Sequence, residues 1–571
     1  MKKLATILMI VGNVALPARA QLLRHSELLG RPTDSSISVK LFFTDSVELY
    51  AEYGLSSGTF TNQTDTILAL PNKPALISIQ PLTPDTRYFY RVRYRHWGDH
   101  SFNTRPEYTF HTRRLAGSTF TFTIQADPHV DANSDTMLYR RCLQNQLEDH
   151  PDFMIDLGDF LMTDKLKDPL INQVPHDTIP YRCHLLRSFY ESTSHSVPLF
   201  IALGNHEGEA GWYLNGTDSN IAVWDAQERI RYFLNPRPDS FYSGDTTNNR
   251  FIGQRENYYS WVWGDALFVV LDPYWYTSSK PDSLNGWRWT LGKVQYDWLK
   301  TTLEQNHTAF KFVFAHQLVG GDPQGRGGVE FADRYEWGGN NLDGTPGFSA
   351  NRPGWYKPIK DLLTENHVNI FFHGHDHLYG QQVKDCLVYQ ETPQPGLPNF
   401  NSTSAADYGY VTGQIINNSG HLRVTVEPGN AKVEYVRAYL PANENSARHN
   451  KDVSATYFVE SAKCYDSLNT GVPVIWNEDY VDERVFPNPF STETKIVFHN
   501  SQRQKLEINI LNLEGKLIRK LVRSGEVAAG DFEILWDGKD GSGIEVPSAV
   551  YILQISGSVT GTASNKIIKL N

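Results

Sequence analysis

Val368-Asn369-Ile370-Phe371-Phe372-His373-Gly374-His375-Asp376-His377 is an apolar run that stops abruptly at a glycine and is followed at once by two histidines around an aspartate. Residues rich in Ile and Phe with no helical period read as a buried strand, and Gly374 lets the chain turn sharply at its end and allows close approach. Two imidazoles are thereby set at the tip of a rigid element, which suggests metal ligands. Met alone, the tetrapeptide would be two surface histidines in a turn about as often as a ligand pair.

Four upstream runs end the same way. Phe120 to Ala126 leads into Asp127-Pro128-His129, Asp152 to Leu157 into Gly158-Asp159, Pro198 to Leu203 into Gly204-Asn205-His206-Glu207, and Phe310 to Ala315 into His316. Helical stretches, Met137 to Leu147 and Val294 to Leu303 among them, fit between the strands. Strands alternating with helices imply an α/β region over residues 116–440, and such sheets carry their sites at strand ends. The collected donors are Asp127, His129, Asp159, Asn205, His206, His316, His375 and His377. Mixed imidazole nitrogen and carboxylate or amide oxygen is what borderline divalent metals accept. The set is too large for one ion, whereas two ions sharing a bridging carboxylate would use it fully.

The full chain of 571 residues, 40% hydrophobic and 12% aromatic, is long enough for several cores. Residues 1–20 have two lysines, an apolar stretch from Leu4 to Leu16 and a small-residue end at Ala18-Arg19-Ala20, the pattern of a secretory signal peptide. Formal charge is −11, more acidic still without that leader, and no basic patch or Lys/Arg run stands out, which argues against nucleic acid or an anionic membrane as main partner. No later segment is apolar and long enough to be a transmembrane span. Residues 21–115 alternate as short strands separated by turns, a β-sandwich. Leu422 to Val426 and Lys432 to Val436 form a hairpin around Pro428-Gly429-Asn430, residues 441–484 read as a linker, and residues 485–571 are again β-rich. Cys142, Cys183, Cys386 and Cys464 are too far apart for a zinc knuckle; export permits disulfides whose pairing the sequence leaves open.

The order Asp-x-His, Gly-Asp, Gly-Asn-His-Glu, His, Gly-His-x-His resembles the calcineurin-like metallophosphoesterase superfamily. The resemblance implies an α/β fold, a four-layer α+β sandwich of mixed sheets, here flanked by two all-β sandwich domains. It implies two divalent or trivalent transition metal ions (Zn, Fe or Mn), with Asp127, His129 and His377 on the first, Asn205, His316 and His375 on the second, and Asp159 bridging. His206 is then left unliganded beside the reacting phosphorus as the catalytic residue, with Asn205 and His206 also contacting substrate. Leu82 to Val92, with Pro84-Asp85 and the alternating Tyr88, Tyr90 and Val92, resembles the fibronectin type III-like domain that precedes the catalytic domain in purple acid phosphatase relatives. Those relatives have a tyrosine after Gly-Asp and lack the first-motif histidine; this chain has Phe160-Leu161-Met162 and His129, so a purple Fe(III) chromophore is not expected. Phe486-Pro487-Asn488-Pro489-Phe490 and the runs after it resemble a C-terminal type IX secretion sorting domain, although Ala549 stands where that family usually has glycine. That resemblance implies outer-membrane secretion machinery as a partner, and a product that is secreted or held at the cell surface.

Other residues take lesser parts. Asp156 is expected to be a buried hydrogen-bonding carboxylate, Glu207 to orient the Asn205-His206 loop, and Asp272 to be either a support or a turn former. Arg326, in the glycine-dense stretch Gly320 to Gly328, either reaches a phosphate oxygen or belongs to a mobile solvent loop. Trp261, Trp263, Trp275, Trp287, Trp289 and Trp298 are expected in packing, with one or two near substrate. The expectation is a secreted two-metal phosphohydrolase, a phosphomonoesterase by its domain arrangement. A phosphodiesterase or nucleotidase of the same superfamily is the alternative, and a non-catalytic surface protein braced by metals is the contrasting class. Specificity is expected in the rim loops from Leu161 to Pro198 and Leu318 to Gly354.

Overall fold

A computed structural model describes residues 25–282, 285–322, 324–446, 448–461, 483–500, 503–512, 516–557 and 561–570. The expected leader and Cys464 lie outside the described residues. Two compact units divide after residue 471.

The first unit holds two mixed sheets stacked face to face. In one, Leu199–Ile201, Phe153–Asp156 and Phe120–Gln125 run parallel, and Gly420–Glu427, Asn430–Arg437 and Val453–Glu460 continue antiparallel. In the other, Ala266–Val270, Phe310–Phe314, Ile370–His373 and Leu387–Glu391 are parallel at the centre of an eight-stranded sheet. Alternation decides which face meets which layer. Phe120, Phe122 and Ile124 point between the sheets into a core with Phe153, Phe268, Phe312 and Phe372. The intervening Gln125 faces the helix Thr136–Glu148, where its amide donates to Tyr139 Oη at 2.9 Å. Helices Thr136–Glu148 and Thr178–Ser194 cover the outside of one sheet, and Gly292–Gln305 and Ile359–Glu365 the outside of the other. The architecture is the expected four-layer α/β sandwich.

One boundary moves. Val453–Glu460, expected inside a linker, is the edge strand beside Asn430–Arg437, with Ala455, Tyr457 and Val459 buried in the inter-sheet core. Polar neighbours on either side hide its alternation in the sequence.

Residues 25–111 form a sandwich of a three-stranded and a six-stranded sheet around Val39, Leu41, Leu49, Tyr90 and Val92. Tyr88 Oη accepts from Thr83 N at 2.9 Å, tying the turn to the strand that leaves it. Buried Lys and Arg side chains fasten this sandwich to helices of the α/β layers. Lys40 Nζ donates to Ile230 O (2.8 Å) and Phe233 O (2.6 Å) at the carbonyl end of helix Ile221–Tyr232, where a cation is favoured. Arg187 donates to Ser26 Oγ (2.7 Å) and Lys40 O (2.9 Å). Arg105 pairs with Glu27 at 2.6 Å and Glu191 at 3.1 Å.

The second unit is a smaller sandwich. Glu483–Phe486, Thr494–Asn500 and Gly530–Trp536 make one sheet, and Leu517–Val527, Gln504–Asn512, Ala549–Gly557 and Gly561–Lys569 the other, around Phe490, Ile508, Trp536 and Leu553. Of the cysteines, Cys142 and Cys183 are free and buried, and Cys386 is disulfide-bonded.

Because Glu27 is fully buried, Arg105→Met should cost about 3–5 kcal/mol by stranding its charge, and adding Glu27→Gln should recover much of that loss. Urea denaturation of the single and double variants measures both.

Candidate metal centre

Strand register brings the donors to one edge. Gln125, Asp156 and Ile201 are in line across three parallel strands, so the segments carrying Asp127, Asp159 and Asn205 emerge side by side. In the second sheet Phe314 is in line with Phe372, and Gly374 N donates to His316 O at 2.8 Å. Asp127 N donates to Gly158 O at 3.0 Å and His129 N to Asp159 O at 3.1 Å, which stitches the first two loops together.

Five of the eight candidates have left-handed backbone: Asp127 (φ 56°), His129 (51°), Asp159 (57°), His375 (83°) and His377 (55°). Each costs on the order of 1 kcal/mol or more and persists only where surrounding structure dictates it. Two glycines make room for this crowding. A Cβ on Gly374 would lie 2.6 Å from Ala126 Cβ and 2.7 Å from Asp127 Oδ2, and one on Gly204 would lie 2.3 Å from Asp159 Oδ1.

The side chains converge in two groups, Asp127 with His129 and His377, and Asp159 with His316 and His375, the donor atoms of each within 4.8 Å of one another. His129 Nε2 is 3.6 Å and His377 Nε2 3.4 Å from Asp127 Oδ1. His316 Nε2 is 3.2 Å from Asp159 Oδ2 and 3.1 Å from both His375 Nδ1 and Asn205 Oδ1. Asp159 Oδ2 also lies 3.8 Å from His129 Nε2, between the groups. His206 belongs to neither group, its Nε2 3.9 Å from Asp159 Oδ2. All eight residues singled out from the sequence meet here.

The donor set fits cations. Asp127 Oδ1 and His129 Nε2 are buried without a hydrogen-bond partner, an expensive state for acceptors facing one another. Leu157 O, 2.9 Å from His316 Nδ1, can only accept, so Nδ1 carries hydrogen and Nε2 of the neutral ring presents a lone pair to the oxygens around it. Burial opposes a charged His316, yet Asp159 and Asp127 outweigh it and push its pKa up to about 9. The carboxylates thus draw positive charge into a buried place.

Surrounding polar groups fix the loops. Glu207 has the orienting part expected of it and extends it: its carboxylate accepts from Gly204 N (2.5 Å), Asp159 N (2.9 Å), Phe160 N (2.8 Å) and Leu161 N (3.1 Å), binding the two loops together. Burial and Asp159 push its pKa up to about 7 against the pull of these donors. Asp156 accepts from Gln125 (2.6 Å), Tyr190 (2.7 Å) and Gly158 N (2.9 Å), as a buried hydrogen-bonding carboxylate should. Asp272 is both turn former and support: it accepts from Tyr274 N at 2.9 Å and from Arg255 at 2.8 Å, and Tyr274 Oη donates to Gln317 beside His316. Arg326 donates to His375 O (2.8 Å) and Asp376 (3.1 Å) with its guanidinium over the Tyr408 ring, so it braces the His375-Asp376 turn. Trp261 and Trp263 pack in the inter-sheet core.

Sequence reasoning passed over three residues. Asp164 lies 2.9 Å from His206 Nδ1, and Asp131 3.5 Å from His129 Nδ1. Buried Arg182 donates to His129 O (2.6 Å) and Leu161 O (2.6 Å) from a helix far along the chain. Sequence proximity to a motif hinted at two of these, Asp131 two residues after His129 and Asp164 five after Asp159, and nothing local pointed to Arg182.

Residues 120–379 match the calcineurin-like phosphoesterase family, and residues 484–569 match the secretion system C-terminal sorting domain. No curated protein sequence matches the chain. The solved structure of PhoD is similar with a TM-score of 0.56 at 14% identity, over 76% of this chain and 90% of that one, which shows a shared fold. GAP50, the anchor in the inner membrane complex of Plasmodium, aligns with a TM-score of 0.32 at 12% identity, over 61% of this chain and 90% of its own.

Glu207→Gln would turn an amide N–H toward backbone donors, so this variant should lose about 1–3 kcal/mol and retain less metal than the unaltered protein. Thermal melting together with elemental analysis after dialysis checks both effects.

Proposed function

We propose that this metal-dependent phosphoesterase, a calcineurin-like phosphoesterase domain followed by a secretion sorting domain, hydrolyses phosphate monoesters outside the cell, with His206 as the acid that protonates the departing alcohol. Two transition metal ions, of zinc, iron or manganese, would be held by Asp127, His129 and His377 on one side and by Asn205, His316 and His375 on the other, with Asp159 between them. When bound, such metals supply Lewis acidity, lowering the pKa of water toward neutrality and offsetting charge on phosphoryl oxygens.

One observation carries the acid role: the His206 ring lies beside both donor groups without joining either, and a carboxylate stands behind it. Asp164 at Nδ1 fixes the ring's orientation and leaves Nε2 facing the cluster. Burial works against the protonated ring, but Asp159 and Asp164 outweigh it and raise its pKa, so a proton is held where the departing oxygen needs one. Asn205 Nδ2, 3.0 Å from His206 Nε2, is also within reach of a phosphoryl oxygen bound there. Arg326, already bound to Asp376, takes a bracing part in this reading. Monoesters are favoured by the domain order, a β-sandwich of fibronectin type III type ahead of the catalytic domain, which is an argument by analogy. The sorting tail marks the chain for export to the cell surface or beyond it, and the leader in residues 1–20 would take it across the inner membrane first.

His206→Ala should lower kcat by about 10²–10⁴-fold while metal content is unchanged, and Asp164→Asn by on the order of tenfold. Turnover of p-nitrophenyl phosphate and of its bis ester, with elemental analysis of each variant, tests these roles; unchanged turnover in His206→Ala would refute the assignment, and faster cleavage of the bis ester would favour a diesterase. Removal of residues 484–569 should leave hydrolysis intact and keep the protein from the cell surface, as fractionation of producing cells would show.

A further inference from the structure

A cavity of about 270 Å³ adjoins the His206–Asp164 pair and has no part in the roles assigned above. Asp164 is its inner wall, the carboxylate that contacts His206 Nδ1. Val174, Tyr213, Ile221 and Trp224 line it with apolar and aromatic surface. Trp224, on helix Ile221–Tyr232, is held edge-on to the His176 ring at a centroid distance of 5.2 Å. The phenol of Tyr213 also faces Asp164. Exposed Asn172 and Gln173 are also among its lining residues, with Lys167, Ser219 and Asn220. Asn172 and Gln173 end a tight turn closed by Asp168 N to Gln173 O (2.9 Å) and Asn172 N to Asp168 O (2.8 Å), whose tip projects Leu170, 92% exposed, and Ile171, 60% exposed.

The position of this cavity gives it a direction. A phosphoryl group bound at the donor cluster has its departing oxygen at His206, so whatever that oxygen carries extends past His206 and Asp164, away from the cluster. We infer that the cavity receives the alcohol side of the ester and selects a planar aromatic ring there, a reading that rests on the phosphohydrolase assignment. A cavity of this size accommodates one ring system, smaller than the sites that enclose a whole drug-sized ligand. Aromatic walls favour a ring over a short polyol through stacking and burial. Aryl esters and nucleoside phosphates share this ring; the amides of Asn172 and Gln173 suit the hydrogen-bonding edge of a base and have no counterpart on a phenyl group.

The test uses the full-length, metal-loaded protein with phenyl phosphate, adenosine 5′-monophosphate and glycerol 3-phosphate. Trp224→Leu keeps apolar bulk under the helix and removes the ring. It should lower kcat/KM for ring-bearing esters about tenfold, mainly through KM, and leave glycerol 3-phosphate within about twofold. Trp224→Phe should restore most of the loss. Should Trp224→Leu melt early, Val174→Trp, which fills the cavity from a residue with no contact to Asp164 or His206 described above, should bring the same loss on ring-bearing esters and spare glycerol 3-phosphate. A loss shared by both ring-bearing esters supports a general aryl pocket, and a loss confined to the nucleotide supports a nucleobase pocket. Equal losses on all three substrates, or no change on any, would overturn the inference. Failure of the unaltered protein to hydrolyse any of the three would instead sink the phosphohydrolase reading.

Discussion

Asp127 and Asp159 stand buried at the ends of neighbouring parallel strands, with the imidazoles of His316 and His375 aimed at them from the other sheet. Two buried carboxylates this close are tolerable only with positive charge between or beside them. Burial alone would favour their neutral forms, yet the histidines, His316 first, hold both well below the usual carboxylate range. The need for cations at this junction is the condition to which the surrounding loops are fitted. It explains why donors come from both sheets: Asp127, His129, Asp159, Asn205 and His206 follow strands of one, and His316, His375 and His377 follow strands of the other.

Holding those donors means holding strained backbone. Asp127, His129, Asp159, His375 and His377 occupy conformations that side chains usually avoid, and buried polar groups from elsewhere hold several of their loops. Glu207 gathers four backbone N–H groups from two loops; Arg182 takes the carbonyl oxygens of His129 and Leu161; Asp376, tied to Arg326, Gly327 and Tyr410, fixes the last turn. Charged groups without water around them are rigid when fully hydrogen-bonded, which suits residues whose task is position. The same logic joins the N-terminal sandwich to the catalytic layers, where Lys40, Arg105 and Arg187 each end on carbonyls or carboxylates rather than in solvent.

Around this centre lies the rim. The stretch from Leu161 to Pro198 supplies Asp164 to His206, Arg182 to the loops and most of one wall of the neighbouring cavity. Asp164 thus borders both the His206 ring and the cavity.

The sequence by itself determined the strands, because Ile, Val and Phe in short runs bounded by glycine admit little else, and it determined the donors, because each run ends in a residue able to bind a metal. It also determined the α/β class and the four-layer expectation, through the order in which those motifs occur. Only the tertiary structure decided which donors share a group, where Asp159 lies between His129 and His316, that Asp164 backs His206, and that Val453–Glu460 completes a sheet. The reason is physical: periodicity and turn residues act over a few positions, whereas left-handed backbone at Asp127 or His375 and the reach of Arg182 are enforced by atoms a hundred or more residues away in some cases and by a loop or helix in others. Local chemistry names the candidate donors, and packing alone sets the angle at which they meet.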